Sequence, residues 1–293
     1  MRDKDLSVPP EVIGAGSLSL GEVEGLWPDL CGRYPLLDPA EQWSILWHGS
    51  MTRGLADQLA DIDLWCLGPD SQVAEIDLVS PTRFFPFDHR GRPGHLNVES
   101  TERFIERVSA CDLALIAELR LSRVLADSSG VGIDLRDRAL RTMPEDVRRA
   151  WFRYHYVEYR GAHRGVDNPA ARGHSVAVLL AGANCLGHAL RAAMVLDGMP
   201  YPYDKWLQVD ALATPTGTVV AASAERFLDQ VARGSLRTAA PEASHPIVQA
   251  LKEPRAILVD RARATGLDGE YLDRWWLHLD AARRGISEVR WPS

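Results

Sequence analysis

Cysteine is scarce and unpatterned. Cys31, Cys66, Cys111 and Cys185 are the only four in 293 residues, and none stands in a C-x-x-C spacing. That excludes a disulfide framework and reads as reduced, mostly buried thiols of a cytosolic protein. An excess of positive charge is lacking too. Lys and Arg number 33 against 40 Asp and Glu, for a formal net charge of −7. This argues against broad binding to a nucleic-acid backbone and mildly favours a cationic small substrate. The opening residues, MRDKDLSVPP, lack the apolar core of a secretory leader, so a cytoplasmic location is expected. No apolar run of membrane length is free of polar residues. The longest window, Ser175 to Leu196, carries Asn184, His188 and Arg191, and is expected to be a buried helix rather than a span. Internal repeats are missing. His155, His174 and His188 show no HExxH or other metal-ligand spacing, so structural or surface roles are expected for them.

What is present is an ordinary globular composition, 46% hydrophobic and 25% charged, on a chain long enough for one large or two ordinary domains. One stretch organises the rest: WSILWHGSMTRGLADQLADIDLWCL, residues 43 to 67. An apolar run, Trp43 to Trp47, ends in His48-Gly49-Ser50, and a second run opens with Asp61-Ile62-Asp63-Leu64. The pattern predicts a strand, a glycine turn into a short helix, and a second strand. Strand side chains alternate between faces, so Asp61 and Asp63 share one face while Ile62 and Leu64 enter a core. Two carboxylates on one face repel each other unless a cation sits between them, and hard divalent cations take oxygen ligands together with substrate phosphates.

Residues 1 to 20 read as a loosely held arm, in which Gly14-Ala15-Gly16 is a turn rather than a phosphate loop. A short amphipathic helix is expected over 21–31. Val73 to Val79 alternates and predicts a third strand. The Pro-, Gly- and Arg-rich residues 80 to 94 predict a long loop. His95 to Glu99 alternates again as a fourth strand, with Leu96 and Val98 on one face and Asn97 and Glu99 on the other, followed by a capped helix through Phe104 and Val108. Residues 112 to 126 read as helical, before a turn at Asp127-Ser128-Ser129-Gly130. From Pro144 onward only helices are expected. One runs from about Pro169 to Leu196, studded with Ala and Gly, as the central helix of a bundle. Further helices are expected near 205–213, 223–234, 245–265 and 268–285. The composition shifts near 130–145.

Nucleotidyl transfer needs positioning and charge neutralisation: a backbone cradle for a triphosphate, carboxylates for one or two metal ions, and a cation for the leaving group. Gly49 and Ser50 at the mouth of a helix supply the first. Asp61 and Asp63 supply the second. A third carboxylate from an adjacent strand usually completes such a site; Glu99 is favoured for it over the alternative, Asp77. A Gly-Ser alone is common in turns, and an Asp-x-Asp alone is more often a solvated edge. Their combination is more specific, because two acids opening an apolar strand are costly to bury without a partner.

Gly49-Ser50, a spacer of about ten residues and Asp61-Ile62-Asp63-Leu64 together resemble the signature of the polymerase-β-like nucleotidyltransferase superfamily. The nearest branch is the small bacterial one that holds the antibiotic (aminoglycoside and lincosamide) nucleotidyltransferases. Thr52-Arg53-Gly54 fits the same pattern. So do the basic, glycine-containing Arg90 to Gly94 before Glu99, and Lys205-Trp206 after a Pro-rich turn that begins at Gly198. The chain departs from many members in having Ala60, not Ser, before the first Asp. The resemblance implies that Lys205, and with it Arg53, neutralises the leaving pyrophosphate. In some relatives a glutamate of the helical domain is the general base; Glu158 is a candidate for that role here. Tyr154, Tyr156 and Tyr159 either line an acceptor pocket or fill helix interfaces.

The expected architecture is an α/β (α+β) nucleotidyltransferase domain with a small mixed sheet, residues 1–135, followed by an all-α helical bundle domain, residues 136–293, that binds the acceptor. The expected reaction is attack of an acceptor hydroxyl on the α-phosphorus of a nucleoside triphosphate, ATP by preference. Asp61, Asp63 and Glu99 hold one or two Mg²⁺ ions, Glu158 serves as base, and Gly49, Ser50, Arg53 and Lys205 hold the phosphates. A small-molecule acceptor such as an aminoglycoside-like compound is expected, without nucleic acid or membrane as partner. The alternatives are a toxin-type nucleotidyltransferase acting on tRNA or protein, and a non-catalytic nucleotide-binding module. The sequence does not name the oligomeric state.

Overall fold

The computed structural model describes residues 23, 25–35, 37, 42–57 and 59–292. The expected arm over residues 1 to 20, with Gly14-Ala15-Gly16, lies outside them. The chain divides into two compact units: residues up to 109 with 115–141, and residues 110–114 with 142–292.

The first unit is built on a mixed five-stranded sheet in the order β3-β4-β2-β1-β5. After helix α1 (Leu26–Arg33) come β1 (Ser44–His48) and β2 (Ile62–Gly68), which pair antiparallel. Helix α2 (Asp70–Val79) follows, then the hairpin of β3 (Phe84–His89) and β4 (Arg92–Ser100). Strand β4 lies parallel to β2 on that strand's other side. Helices α3 (Thr101–Ser109) and α4 (Leu113–Leu121) lead to β5 (Arg123–Asp127), which closes the β1 edge, and α5 (Val131–Leu140) ends the unit. The alternation expected of β2 places Ile62, Leu64 and Cys66 in one core with Ile45, Trp47, Leu96 and Val98. The opposite face is covered as well, Trp65 meeting Phe104 edge to face at 5.1 Å. The interior position of β2 explains why all its residues are buried.

Four local expectations are corrected. Residues 73–79 are helical, not a strand: Asp70 sits in the first turn after Pro69, and Val73 and Ile76, three apart, are the buried pair while Leu78 and Val79 face solvent. Residues 80–94 are largely a hairpin. Phe85 and Phe87 point inward on alternate positions, and Pro86 is tolerated because β3 is an edge strand. Arg90 and Gly91 make the two-residue turn, with φ of 57° and 80°, a geometry in which both central residues are left-handed. Residues 123–126, expected to be helical, belong with Asp127, expected in a turn, to the edge strand β5. No helix follows Gly49-Ser50; residues 50–54 are successive turns, closed by Gly54 N–H to the Met51 carbonyl at 3.2 Å and Leu55 N–H to the Ser50 carbonyl at 3.0 Å.

The second unit is helical. Helix α6 (Glu145–Ala171) starts after Pro144 with Glu145 and Asp146 in its first turn, favourable placements at a helix N-terminus. Then come α7 (Ser175–Leu196), α8 (Asp204–Leu212), α9 (Pro215–Ala232), α10 (Pro246–Lys252), α11 (Pro254–Ala264) and α12 (Leu279–Glu288), with short 3₁₀ turns at 235–237, 270–272 and 275–277. Helix α7 packs against α6, α8, α9, α10 and α11. Its small residues explain this: a Cβ at Gly182 would lie 2.6 Å from the Phe227 ring. By length and composition α7 would pass for a membrane span, but 56% of its apolar window is buried inside the unit.

Candidate metal and phosphate site

The register of the sheet places the site. His48 on β1 pairs with Asp63 on β2, and Asp63 pairs with His95 on β4. Residues directly opposite in a sheet project to the same face, so the Asp63 carboxylate stands in a row between two imidazoles. Asp61, two residues earlier, shares that face. Among the described residues Asp61, Asp63 and His95 form one group whose ligand atoms all lie within 4.8 Å of one another. His95 Nε2 is 3.0 Å from Asp63 Oδ1, and its Nδ1 is 3.5 Å from Asp61 Oδ2. Around a divalent ion with bonds of about 2.1 Å, neighbouring ligand atoms stand about 3 Å apart. The donor set therefore fits such an ion in chemistry and spacing.

Each flank of the group is held. The His95 ring stacks on Phe84 with centroids 5.1 Å apart, and His48 stacks on Trp65 at 3.8 Å. Arg92, at the start of β4, donates to the Ala60 carbonyl at 3.0 Å and the Asp57 carbonyl at 3.3 Å, which fixes the approach to Asp61. Gly49 has φ of 88°, and a Cβ on it would lie 2.0 Å from Asp63 Oδ2. Glycine is required there twice, for the backbone angle and for the space the carboxylate fills. Ser50 and Thr52 are buried in the turn that follows, and the Thr52 hydroxyl donates to the Gly49 carbonyl at 3.1 Å.

Within the sheet unit the structure brings Gly49, Ser50, Asp61 and Asp63 together and holds Glu99, Asp77 and Arg53 in other surroundings. The third potential metal ligand beside the two acids is His95, whereas Glu99, the expected one, stands farther along the strand. Glu99 pairs with Leu67, four residues farther along β4, which is about 13 Å of strand. It lines a separate concavity of about 410 Å³ with Asp77, Arg83 and Arg103. Asp77, the alternative, lies on α2 and not on a strand. There it forms a two-pronged pair with Arg83, both bonds 2.6 Å, which holds its carboxyl below the usual range. Arg53 is buried, its guanidinium against Glu118 at 2.6 Å. Glu158, on α6, is tied to Arg283 at 2.6 Å. Lys205 is exposed at the start of α8, its ammonium 5.2 Å from the centroid of the Trp206 ring. Tyr156 and Tyr159 are fully buried with hydroxyls donated to the Leu272 and Leu251 carbonyls, so they fill helix interfaces; Tyr154 is half-buried.

His95 was the residue missed. Alternation places His95 with Asn97 and Glu99 on the face expected to carry a third ligand, and the residue at the end of the strand beside the acids is an imidazole instead of a carboxylate.

Among solved structures, the crystal structure of a nucleotidyltransferase-like protein from Exiguobacterium sibiricum 255-15 is similar at 15% identity, over 83% of this chain and 77% of that one, with a TM-score of 0.48. No protein-family model matches the chain, and no curated protein matches it.

Proposed function

We propose that the chain is a divalent-cation-dependent nucleotidyltransferase that moves a nucleoside monophosphate from a nucleoside triphosphate, ATP by preference, to an acceptor hydroxyl. The observation that carries this reading is the Asp61–Asp63–His95 group beside the Gly49 turn. Asp61, Asp63 and His95 would hold the cation. When bound, such an ion neutralises phosphate charge and polarises the reacting phosphorus. The expectation was Mg²⁺; an imidazole in the set suits Mn²⁺ or Zn²⁺ at least as well.

The protein's own part is positional. Gly49 leaves the volume that the Asp63 carboxylate needs, and the turn over 50–54 brings backbone close to the acids, where a phosphate chain is accepted. Arg53 supports that turn from below through Glu118 instead of contacting the substrate. In this reading Glu99, paired with Leu67 four residues farther along β4, has no metal role, and Glu158, paired with Arg283, has no base role. The acceptor proposed is a small molecule, in keeping with a net charge of −7.

Calorimetry with Mg²⁺ or Mn²⁺ and a nonhydrolysable ATP analogue tests the reading. Wild type is expected to bind the nucleotide only with the metal. Asp63→Asn and Gly49→Ala each weaken metal-dependent binding by about 100-fold, the scale of removing or displacing a ligand or its support. A wild-type chain that binds no nucleotide in the presence of metal would refute it.

A further inference from the structure

The helical unit contains a concavity of about 320 Å³ whose charge is opposite to that of the Asp61–Asp63 end of the sheet. Its walls carry two pairs of cations. Arg160 and Arg164 stand one turn apart on α6, while Lys252 ends α10 and Arg255 opens α11. A single carboxylate, Glu242, enters the same space, where it meets Arg164 at 3.3 Å. Among the described residues no carboxylate lies within ion-pair distance of Arg160, Lys252 or Arg255. Like charges one helical turn apart cost a few tenths of a kcal/mol. On a chain of net charge −7, four cations around one hollow are not a by-product of composition.

The hollow is built, not a chance gathering of surface arginines. The buried Tyr159 forms its floor and ties α6 to the α10–α11 junction. Its hydroxyl donates to the Leu251 carbonyl at 2.9 Å, with the Lys252 carbonyl at 3.4 Å. That junction is the segment that bears Lys252 and Arg255. His163, 7% exposed, is also in the wall, and its Nε2 has no hydrogen-bond partner in the chain. A buried polar atom left so is costly, and a ligand oxygen or hydroxyl would satisfy it. On the open side stand Trp275 and Trp276, perpendicular with centroids 6.1 Å apart, the second 55% exposed. A large aromatic beside unpaired cations offers a flat surface for stacking next to a place for negative charge.

From this juxtaposition we infer that the helical unit holds a second, metal-independent site for a small phosphate-bearing planar molecule of the nucleoside monophosphate class. Arg160, Lys252 and Arg255 receive the phosphate, and Trp276 the ring. A hollow of this size, at the lower end of the range for small-molecule sites, suits one such unit. A nucleic-acid strand would instead follow an extended basic groove with successive stacking positions.

The test is calorimetry of the full chain with AMP in excess chelator, conditions that disable any metal-dependent site. One AMP is expected to bind per chain. The Lys252→Ala/Arg255→Ala double variant, checked for folding by its melting curve, is expected to weaken binding about tenfold or more. Adenosine, which lacks the phosphate, is expected to bind about tenfold more weakly than AMP. Trp276→Ala is expected to weaken AMP but leave inorganic phosphate unchanged. Failure of AMP to bind in chelator overturns the inference, as does equal binding by the double variant. Binding of a structured RNA without AMP overturns it in favour of a nucleic-acid surface. None of these failures touches metal-dependent ATP binding, so the two readings fall separately.

Discussion

The two units handle charge in opposite ways. In the sheet unit, carboxylates gather at the end of β2, and the guanidinium of Arg53 is withdrawn from solvent, with Arg53 and Glu118 side chains 2% and 4% exposed. In the helical unit the cations of the Trp275–Trp276 hollow stay at the surface, mostly without counter-ions. A sheet locks ligating side chains by register, so three groups from two neighbouring strands need no further support than a glycine notch and a stacked ring. Helices offer no such register, and the hollow draws on segments from residue 159 to residue 276. Buried paired charge carries structure; surface unpaired charge is available to a ligand.

That contrast predicts unequal costs of substitution, which chemical denaturation measures. Arg53→Ala removes the guanidinium that pairs with the buried Glu118, at a cost of about 3–5 kcal/mol. Replacing both partners by apolar residues, Arg53→Met with Glu118→Leu, is expected to recover most of that loss. Lys252→Ala and Arg255→Ala, at the surface, are expected to stay within about 0.5 kcal/mol of wild type. Equal effects at the two places would break the comparison.

What the sequence revealed follows the same division. Gly49, Asp61 and Asp63 were legible because strand alternation acts over two residues and the glycine ends a strand. The helical character of the second half was legible from Pro144 and the Ala/Gly-rich α7. His95 was within reach, since alternation placed it on the right face; only the chemistry expected there differed. The hairpin around Arg90-Gly91 was obscured because Pro86, unusual in strands, is permitted by an edge position that sequence does not reveal. Arg53 carries the residue type of a phosphate ligand, and its burial against Glu118, 65 positions away, is a long-range contact with no local signal. The hollow had no local signal at all.

Histidine sharpens the contrast at a smaller scale. His95 lies between two acids, whereas His155 and His188 face each other in the helical unit with Nδ1 atoms 2.9 Å apart. One of the two nitrogens donates and the other accepts, so the contact forbids both rings from carrying charge at once. Burial, the charge of Arg191 adding to it, pushes His188 down to about 4, and burial with the facing His188 lowers His155 as well. A histidine whose folded pKa is depressed takes its proton later than in the unfolded chain. Stability is therefore lost as pH falls from about 6.5 toward 4. Between pH 7 and 5 the His188 contribution is a loss of about 2 kcal/mol. Urea melts at the two pH values check this. His188→Gln, which cannot take a proton, is expected to show a shallower decline, and an unchanged slope would remove His188 from the account.

The smallest effect tests the site most finely. If His95 ligates, the group is two carboxylates and an imidazole, a set that does not discriminate strongly for Mg²⁺. His95→Asp would convert it to three carboxylates on the same face, at the position paired with Asp63. Both ions should still bind, but the ratio of Mn²⁺ to Mg²⁺ affinity is expected to fall by about tenfold. Competition of Mg²⁺ against Mn²⁺, followed by the electron-spin signal of free Mn²⁺, reads that ratio without any turnover. His95→Ala separates ligation from mere neutralisation of the acids. Loss of a ligand weakens both metals. Loss of a counter-cation that only offset the repulsion of Asp61 and Asp63 would instead tighten both. A tightened His95→Ala would leave the two aspartates as the metal's protein ligands and return the third position to a residue other than His95.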